Sequence, residues 1–419
     1  MTAGTGRRRL SGLTIDLTPL RVSAPFRRLF LGDLVSVIGT QVTIVAVSLE
    51  VYDITGSAAA VGLVGLVGLL PLVFFGLYGG AIADAVDRRT LVLVTTAGQA
   101  VLSAVLALHA ASGLRSTVLL YAVVAVQSAL FAADAPARQA FVPRLLPVSL
   151  LPAANALRQV EFGLGVTAGP LIAGVLIAGV GYPAAYGLDA ASYAVALWAV
   201  SGLPSMAPEG GGRKAGLASV LEGLAFLRTR PVLLMTFVVD LVAMVFAMPR
   251  ALFPALADED FGGGVRTAST LYAALAAGAL LGALGSGLLG RVHRQGLAVL
   301  WAIAAWGAAV ALFGITDRLW LALVLLAAAG AADSVSAIFR TAILQAAAPD
   351  EMRGRLGGVF FVVVAGGPRL ADGRAGGAGA WIGPQEAVVS GGLLVVGITA
   401  LIARMAPGFR RYDARVPQA

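Results

Sequence analysis

No cysteine occurs in the 419 residues, which excludes disulfides, thiolate metal sites and thiol nucleophiles. Histidine is nearly absent as well. His109 and His293 are the two present, both at expected loop edges, so no metal centre is expected. Charge is the most consequential shortage. Only 12% of residues are Asp, Glu, Lys or Arg, against about 25% in an average soluble domain. Such a chain cannot cover itself with polar surface. With 58% apolar residues and a mean hydropathy of +0.89, it falls in the membrane class and calls for a lipid bilayer around it.

The formal charge of +8 raises a nucleic-acid partner as an alternative. The arginines, however, lie in short clusters between apolar runs and form no basic stripe, so none is expected. The opening RRRLSGL (7–13) has the look of a twin-arginine signal. No compact apolar region with a small-residue cleavage site follows it, and it reads as a tail.

What the chain does contain is apolar runs long enough to cross a bilayer, which takes roughly 20 residues. They lie near 29–52, 58–83, 90–110, 116–136, 153–180 and 184–203, and again near 232–256, 267–289, 296–315, 319–346, 355–382 and 386–404. The expected fold class is an all-α integral membrane protein with 12 transmembrane helices in two six-helix halves. Residues 29–203 form the first half and 232–404 the second. The flanking pieces are a tail at 1–28, a linker at 204–231 and a tail at 405–419.

Arginine and lysine counts in the loops set the orientation. The side that carries both termini and the linker holds 22 of them, and the opposite side holds four, Arg115, Arg250, Arg266 and Arg318. Both termini and the linker are therefore expected in the cytoplasm. The halves also echo each other: Arg88 and Arg291 lie 203 positions apart, and Arg138 and Arg340 lie 202 apart. A near-constant offset indicates a duplicated six-helix unit, an architecture common among secondary transporters. No loop carries a nucleotide or metal motif, and no G-x-x-x-x-G-K-[ST] occurs. An enzyme, a cofactor and ATP as energy source are therefore not expected.

Two motifs carry chemistry. Between spans 2 and 3 stands GGAIADAVDRR (79–89), where Asp84 ends one helix and Arg88 and Arg89 anchor a short turn. In span 5, Gly165, Gly169, Pro170 and Gly174 give a flat, bent helix face for close packing, with Gly278, Gly282 and Gly285 of span 8 as a plausible partner. The first stretch resembles the signature loop of the major facilitator superfamily, G-x-L-A-D-R-x-G-R-R. Gly80, Ile82, Ala83, Asp84, Arg88 and Arg89 match it, Ala85 stands for its basic residue, and Asp87 for its glycine. The resemblance implies that Gly80, Asp84, Arg88 and Arg89 form a conformational latch between the halves. The span 5 motif resembles the G-x-x-x-G-P-x-x-G-G of exporters in that superfamily, with Ala173 at one glycine position.

Longer stretches are similar to the enterobactin-exporter branch: PRALFPALAD (249–258), the span 8 run from Leu271 to Gly287, and EMRGRL (351–356). That likeness implies a proton-coupled exporter of a siderophore-like small molecule in the bacterial cytoplasmic membrane, expected to be monomeric. The alternative is a broad multidrug exporter of the same fold.

Charges inside the spans are costly, about 2.5–3.5 kcal/mol each at a helix centre, and so mark partners or pathways. Asp33, Arg158, Glu161 and Asp240 are the candidates for proton coupling or substrate contact. Arg158 and Glu161 stand three apart, either as a fixed ion pair or as a pair lining the cavity. Asp240 has no basic neighbour in sequence and is the expected titrating carboxylate. Glu50, near the outer end of span 1, reads as solvated. The stretch GGPRLADGRAGG (366–377) has to lie within span 11, because the ten residues before it cover only about 15 Å. It is expected as a broken helix in which Arg369 pairs with Asp372. Arg374 then either faces the cavity or holds the break.

Overall fold

The computed structural model describes residues 16–207, 217–290, 292–349 and 352–415. Among them the chain is helical, without strands. Twelve long helices follow the apolar runs. They are α1 (Ala24–Thr55), α2 (Ala58–Ala85), α3 (Arg88–Ala111), α4 (Thr117–Leu145), α5 (Leu151–Gly179) and α6 (Tyr182–Ser201) in the first half. In the second half they are α7 (Pro231–Ala247), α8 (Gly264–Leu284), α9 (Gln295–Gly314), α10 (Leu319–Ala347), α11 (Arg353–Ile382) and α12 (Pro384–Met405).

Local chemistry sets many of the helix ends. Ser23, Ser57, Asp87 and Ser116 each accept a hydrogen bond from a first-turn amide of α1, α2, α3 and α4, satisfying donors that a helix start leaves open. Pro opens α5, α6, α7 and α12, where its missing N–H costs nothing. Gly56 ends α1 at φ 60°, a left-handed conformation that glycine adopts without a Cβ clash.

Length and composition qualify eleven membrane-crossing segments. The remaining helix, α6, has 20 residues, enough for about 30 Å. Its apolar character is diluted by Asp189, Ser192 and three tyrosines. Charged groups turn inward among a largely apolar core: Glu50, Asp134, Glu161, Asp189, Asp240 and Arg340 are buried, whereas Leu70, Val118, Trp301 and Trp381 are exposed. That distribution suits lipid around the molecule.

Within the first half α1 packs on α5 and α6, α2 on α4, and α3 on α6. In the second, α8 and α9 pack on α10, and α9 on α12. The halves meet through α2 against α11 and α5 against α8. Each contact maps onto the other when every helix is advanced six places, so the interface carries the duplication.

Four expectations about boundaries change. The first long helix starts at Ala24 instead of 29, with a five-residue helix, Thr18–Val22, before it inside the expected tail. Part of the linker is a helix, Leu217–Arg228, with Glu222 bound to Arg355 at 2.9 Å. The seventh span, Pro231–Glu259, is not one helix, and α7 ends at Ala247. A 3-10 turn, Arg250–Leu252, and a short helix, Phe253–Glu259, follow it, because Pro249 and Pro254 lack the N–H that an unbroken helix needs. Span 11 is not broken: α11 runs through Pro368 to Ile382 as one helix of 30 residues. Residues 1–15 and 208–216, including the RRRLSGL stretch, lie outside the described residues.

Candidate functional site

The two halves carry matching charge triads near the face that holds the termini. In the first half, Arg138 of α4 donates to Asp33 of α1 at 2.8 Å and to Asp134, one turn back on its own helix, at 2.7 Å. It also donates to Thr96 of α3 at 2.6 Å. In the second half, Arg340 of α10 pairs with Asp240 of α7 and lies 3.8 Å from Asp333 on its own helix. Asp33 and Asp240 each stand nine residues into their helices. Arg138 and Arg340 each stand 21 residues into theirs. Asp240 is therefore not the unpartnered acid that its sequence neighbourhood predicts. Its cation comes from a helix a hundred residues away, and it is the second-half counterpart of Asp33.

Glu161 of α5 is 5% exposed and has no hydrogen bond or ion pair among the described residues. Arg158 and Glu161 do not form the ion pair that their spacing allows. The two share a helix, but Arg158 lies closer to the surface and acts on the buried carboxylate only at a distance.

The opposite face is where the halves lock. Tyr52 at the end of α1 donates to Glu259 at 2.9 Å. Arg250, in the turn after α7, pairs with Asp372 of α11 at 3.2 Å. Glycines let α2 and α11 touch: a Cβ on Gly65 would lie 2.8 Å from the Arg369 carbonyl and 2.8 Å from the Asp372 Cβ. Gly62 and Gly376 meet in the same way further out. Arg369 then crosses beside Gly68 and donates to Ser128 of α4 at 3.2 Å. It also donates to the carbonyl of Ala365 on its own helix at 3.1 Å. The expected Arg369–Asp372 pair is thus not made, since Arg250 takes the carboxylate and Arg369 turns towards the first half. Arg374 donates to the Phe246 carbonyl at 2.7 Å and lies 5.8 Å from the Phe246 ring. It closes a free carbonyl at the C-terminal end of α7, where cations are favoured.

The span 5 glycines serve two neighbours. Gly165 and Gly169 seat α1 through Val37 and Gln41, and Gly174 seats Ser269 of α8. Pro170 is buried within the continuous α5. The glycines of α8 do not face α5: Gly278 and Gly282 lie against the α10 backbone at Ala327 and Ala331. Equal spacing makes both faces flat, but helix order puts α10 beside one and α1 beside the other.

At the termini face the signature loop stays within its own half. Asp84 and Arg88 pair at 3.2 Å across one turn, Gly80 lies in the last turns of α2, and Arg89 donates to the Ser201 carbonyl at the end of α6 at 2.6 Å. Asp87 caps α3 through the Thr90 amide at 2.9 Å. It also accepts from the Ser205 hydroxyl at 2.6 Å and the Met206 amide at 2.7 Å. Those bonds, led by Ser205, hold its carboxyl at about 2, below the ordinary 3.8. A depressed acid stabilises the fold at pH above its ordinary value, and the contribution disappears as pH falls through about 2. At neutral pH, Asp87→Ala is expected to remove roughly 0.5–2 kcal/mol of cap stability. Faster hydrogen exchange at the Thr90 and Met206 amides reads that loss.

Several of these residues were not reached from sequence. Arg138 was visible only as a repeat offset, Arg340 as an intramembrane charge without an assigned partner, and Arg250 as a loop cation. Glu50 is buried, not solvated: it accepts from Tyr186 at 2.5 Å and faces His109 Nδ1 at 3.6 Å. Asp189 of α6, 1% exposed, has no motif around it. Among the described residues no group of three or more His, Cys, Asp or Glu could hold a metal ion.

Comparison with known proteins agrees with this architecture. Residues 14–416 match the family model described as transmembrane secretion effector. The chain is 31% identical over 408 residues to the enterobactin exporter EntS of Shigella boydii serotype 18 and to that of Escherichia coli O157:H7, covering 96% of this chain and 97% of each relative. Among solved structures, a nucleoside transporter, NupG, superposes with a TM-score of 0.75 at 12% identity over 91% of this chain and all of that one. A bacterial homologue of the iron transporter ferroportin in an inward-facing state gives 0.64 at 14% identity over 90% and 99%. These last two show the fold. The chain belongs to the transmembrane secretion effector family, and it is a multi-pass secondary transporter of the major facilitator fold.

Proposed function

We propose that the protein exports a siderophore-like metabolite across the bacterial cytoplasmic membrane, in exchange for protons, by alternating access. The observation that carries this reading is the asymmetry between the two faces. Tyr52–Glu259 and the Gly62–Gly376 approach tie the halves together on one face, beside the Arg250–Asp372 pair that braces the second half there. On the other, Asp84, Arg88 and Arg89 bind within the first half. With the arginine-rich face in the cytoplasm, this is the arrangement of a carrier closed outward. The latch residues would engage the second half in the opposite state.

Asp33 and Asp240 stay candidates for the proton within their triads, and Glu161 as an acid without an ion-pair partner among the described residues. Arg158 remains a candidate substrate contact. In this reading Arg369 acts as a closure contact through Ser128, and Asp372 and Arg374 brace the second half through Arg250 and the Phe246 carbonyl. The full-length likeness to enterobactin exporters supports a catecholate cargo. The test is export from iron-starved, enterobactin-producing cells that lack their own exporter. Expression of this protein is expected to restore release of intact enterobactin without raising efflux of lipophilic cationic dyes. Dye efflux without enterobactin release would instead favour a broad drug exporter.

A further inference from the structure

Behind α1, away from the contact between the halves, a file of polar side chains runs through the first half. On α1 the residues are Asp33, Ser36, Thr40, Thr43 and Glu50, all on one face. From Asp33 to Glu50 the helix rises about 25 Å, most of the bilayer core of about 30 Å. Four of the five, all but Ser36, bond side chains of α3, α4 or α6. Asp33 meets Arg138, Thr40 bonds the Tyr193 hydroxyl at 2.9 Å, and Glu50 bonds Tyr186. The middle rung is Asp189. Its Oδ2 accepts from Thr43 Oγ1 at 2.8 Å and Ser103 Oγ at 2.6 Å, and Ser192 approaches Oδ1 at 3.5 Å. Gly39 makes this possible, since a Cβ there would overlap the Ser192 hydroxyl.

Among the described residues no cation reaches Asp189. From α1, Asp33 lies on the termini side and Glu50 on the far side, each in its own pair. From α3, His109 faces Glu50. From α4, Gln127 contacts Ser103 at 3.4 Å, and Arg138 is held by Asp33 and Asp134. Its own helix adds Tyr186 and Tyr193. The shell of Asp189 is therefore made of hydroxyls, which both donate and accept, whereas a guanidinium only donates. With the carboxylate ionised, Thr43 and Ser103 donate to it. With the acid protonated, its O–H donates to one of those oxygens and that hydroxyl turns its own hydrogen elsewhere. The site keeps its hydrogen bonds in either state, and the arginine-bound acids do not.

Building on the proton-coupled reading above, we propose that Asp189 binds and releases the coupling proton. The polar rungs towards Arg138 and towards Glu50 and His109 lead it to the two faces.

The test uses the full chain in proteoliposomes with enterobactin as cargo. Asp189→Asn keeps the side-chain volume and an accepting oxygen but cannot exchange a proton. It is expected to lose accumulation driven by a pH gradient and to keep gradient-independent counterflow of labelled against unlabelled enterobactin. Retained gradient-driven accumulation would overturn the proposal, as would loss of both activities. Loss of coupling in Glu161→Gln alone, with Asp189→Asn still coupled, would place the proton at Glu161. Should Asp189→Asn not fold, the Thr43→Val, Ser103→Ala pair is expected to displace the pH profile of gradient-driven transport, and an unmoved profile contradicts the assignment. If wild-type accumulation ignores the pH gradient, the proton-coupled reading itself fails; if only the variant behaves as wild type, Asp189 alone is excluded.

Discussion

Arg138→Ala is expected to destabilise the protein by about 3–5 kcal/mol, the usual cost of leaving a buried ion pair without one partner. Arg138 serves two carboxylates at 2.8 and 2.7 Å whose side chains are 14% and 9% exposed. Without it, Asp33 and Asp134 face each other in a low-dielectric interior where neither is hydrated. Removing the acids as well should restore most of the loss: Arg138→Leu with Asp33→Asn and Asp134→Asn leaves no charge to bury. Thermal unfolding in detergent of the single and triple variants reads both effects. Arg340→Ala is expected to follow the same pattern through Asp240, with a smaller cost because Asp333 is 33% exposed and 3.8 Å away. A single Arg138→Ala variant that melts like wild type contradicts the triad as a stabilising unit.

Gly65→Leu is expected to abolish transport while leaving each half folded. The new side chain would meet the backbone of α11 at Arg369 and the Asp372 Cβ, neither of which can rotate away. Overpacking costs about 1–3 kcal/mol, and every 1.4 kcal/mol is about tenfold in an equilibrium. The penalty falls only on the state in which α2 and α11 touch, so the closed population should drop between about fivefold and 150-fold. The chain has no cysteine, which makes introduced cysteines unique probes. In the wild-type background a Tyr52→Cys, Glu259→Cys pair, at positions whose side chains meet across the halves, should be bridged by a bismaleimide cross-linker, and adding Gly65→Leu should suppress the cross-link. Unchanged cross-linking and transport would show that this approach is not needed for the cycle.

Spans and duplication were legible because each is written along the chain: apolar runs of bilayer length and a constant offset between related arginines. Charge pairing was not, because a helix hides its partners. Asp240 and Arg340 stand a hundred residues apart, and Arg250 meets Asp372 across 122 positions. A signal did exist. Arg138 and Arg340 were related by the repeat, and carrying Asp33 forward by a similar offset reaches Asp240. Pro249 likewise stood within the expected seventh span, where it announced the helix end seen at Ala247. In α11 the same cue misled: Pro368 and its glycines sit in an unbroken helix, packed on Leu69 of α2 and Met244 of α7. Asp189 escaped notice because its partners are hydroxyls on α1 and α3, which no spacing within α6 predicts.

The most direct test of the account is transport of enterobactin into sealed vesicles whose cytoplasmic face points outward, with the interior acidified. Accumulation is predicted to require the protein, to rise with the pH gradient, and to stop when an ionophore collapses that gradient. Accumulation that is independent of the gradient, or absent at every gradient, would contradict a proton-coupled siderophore exporter.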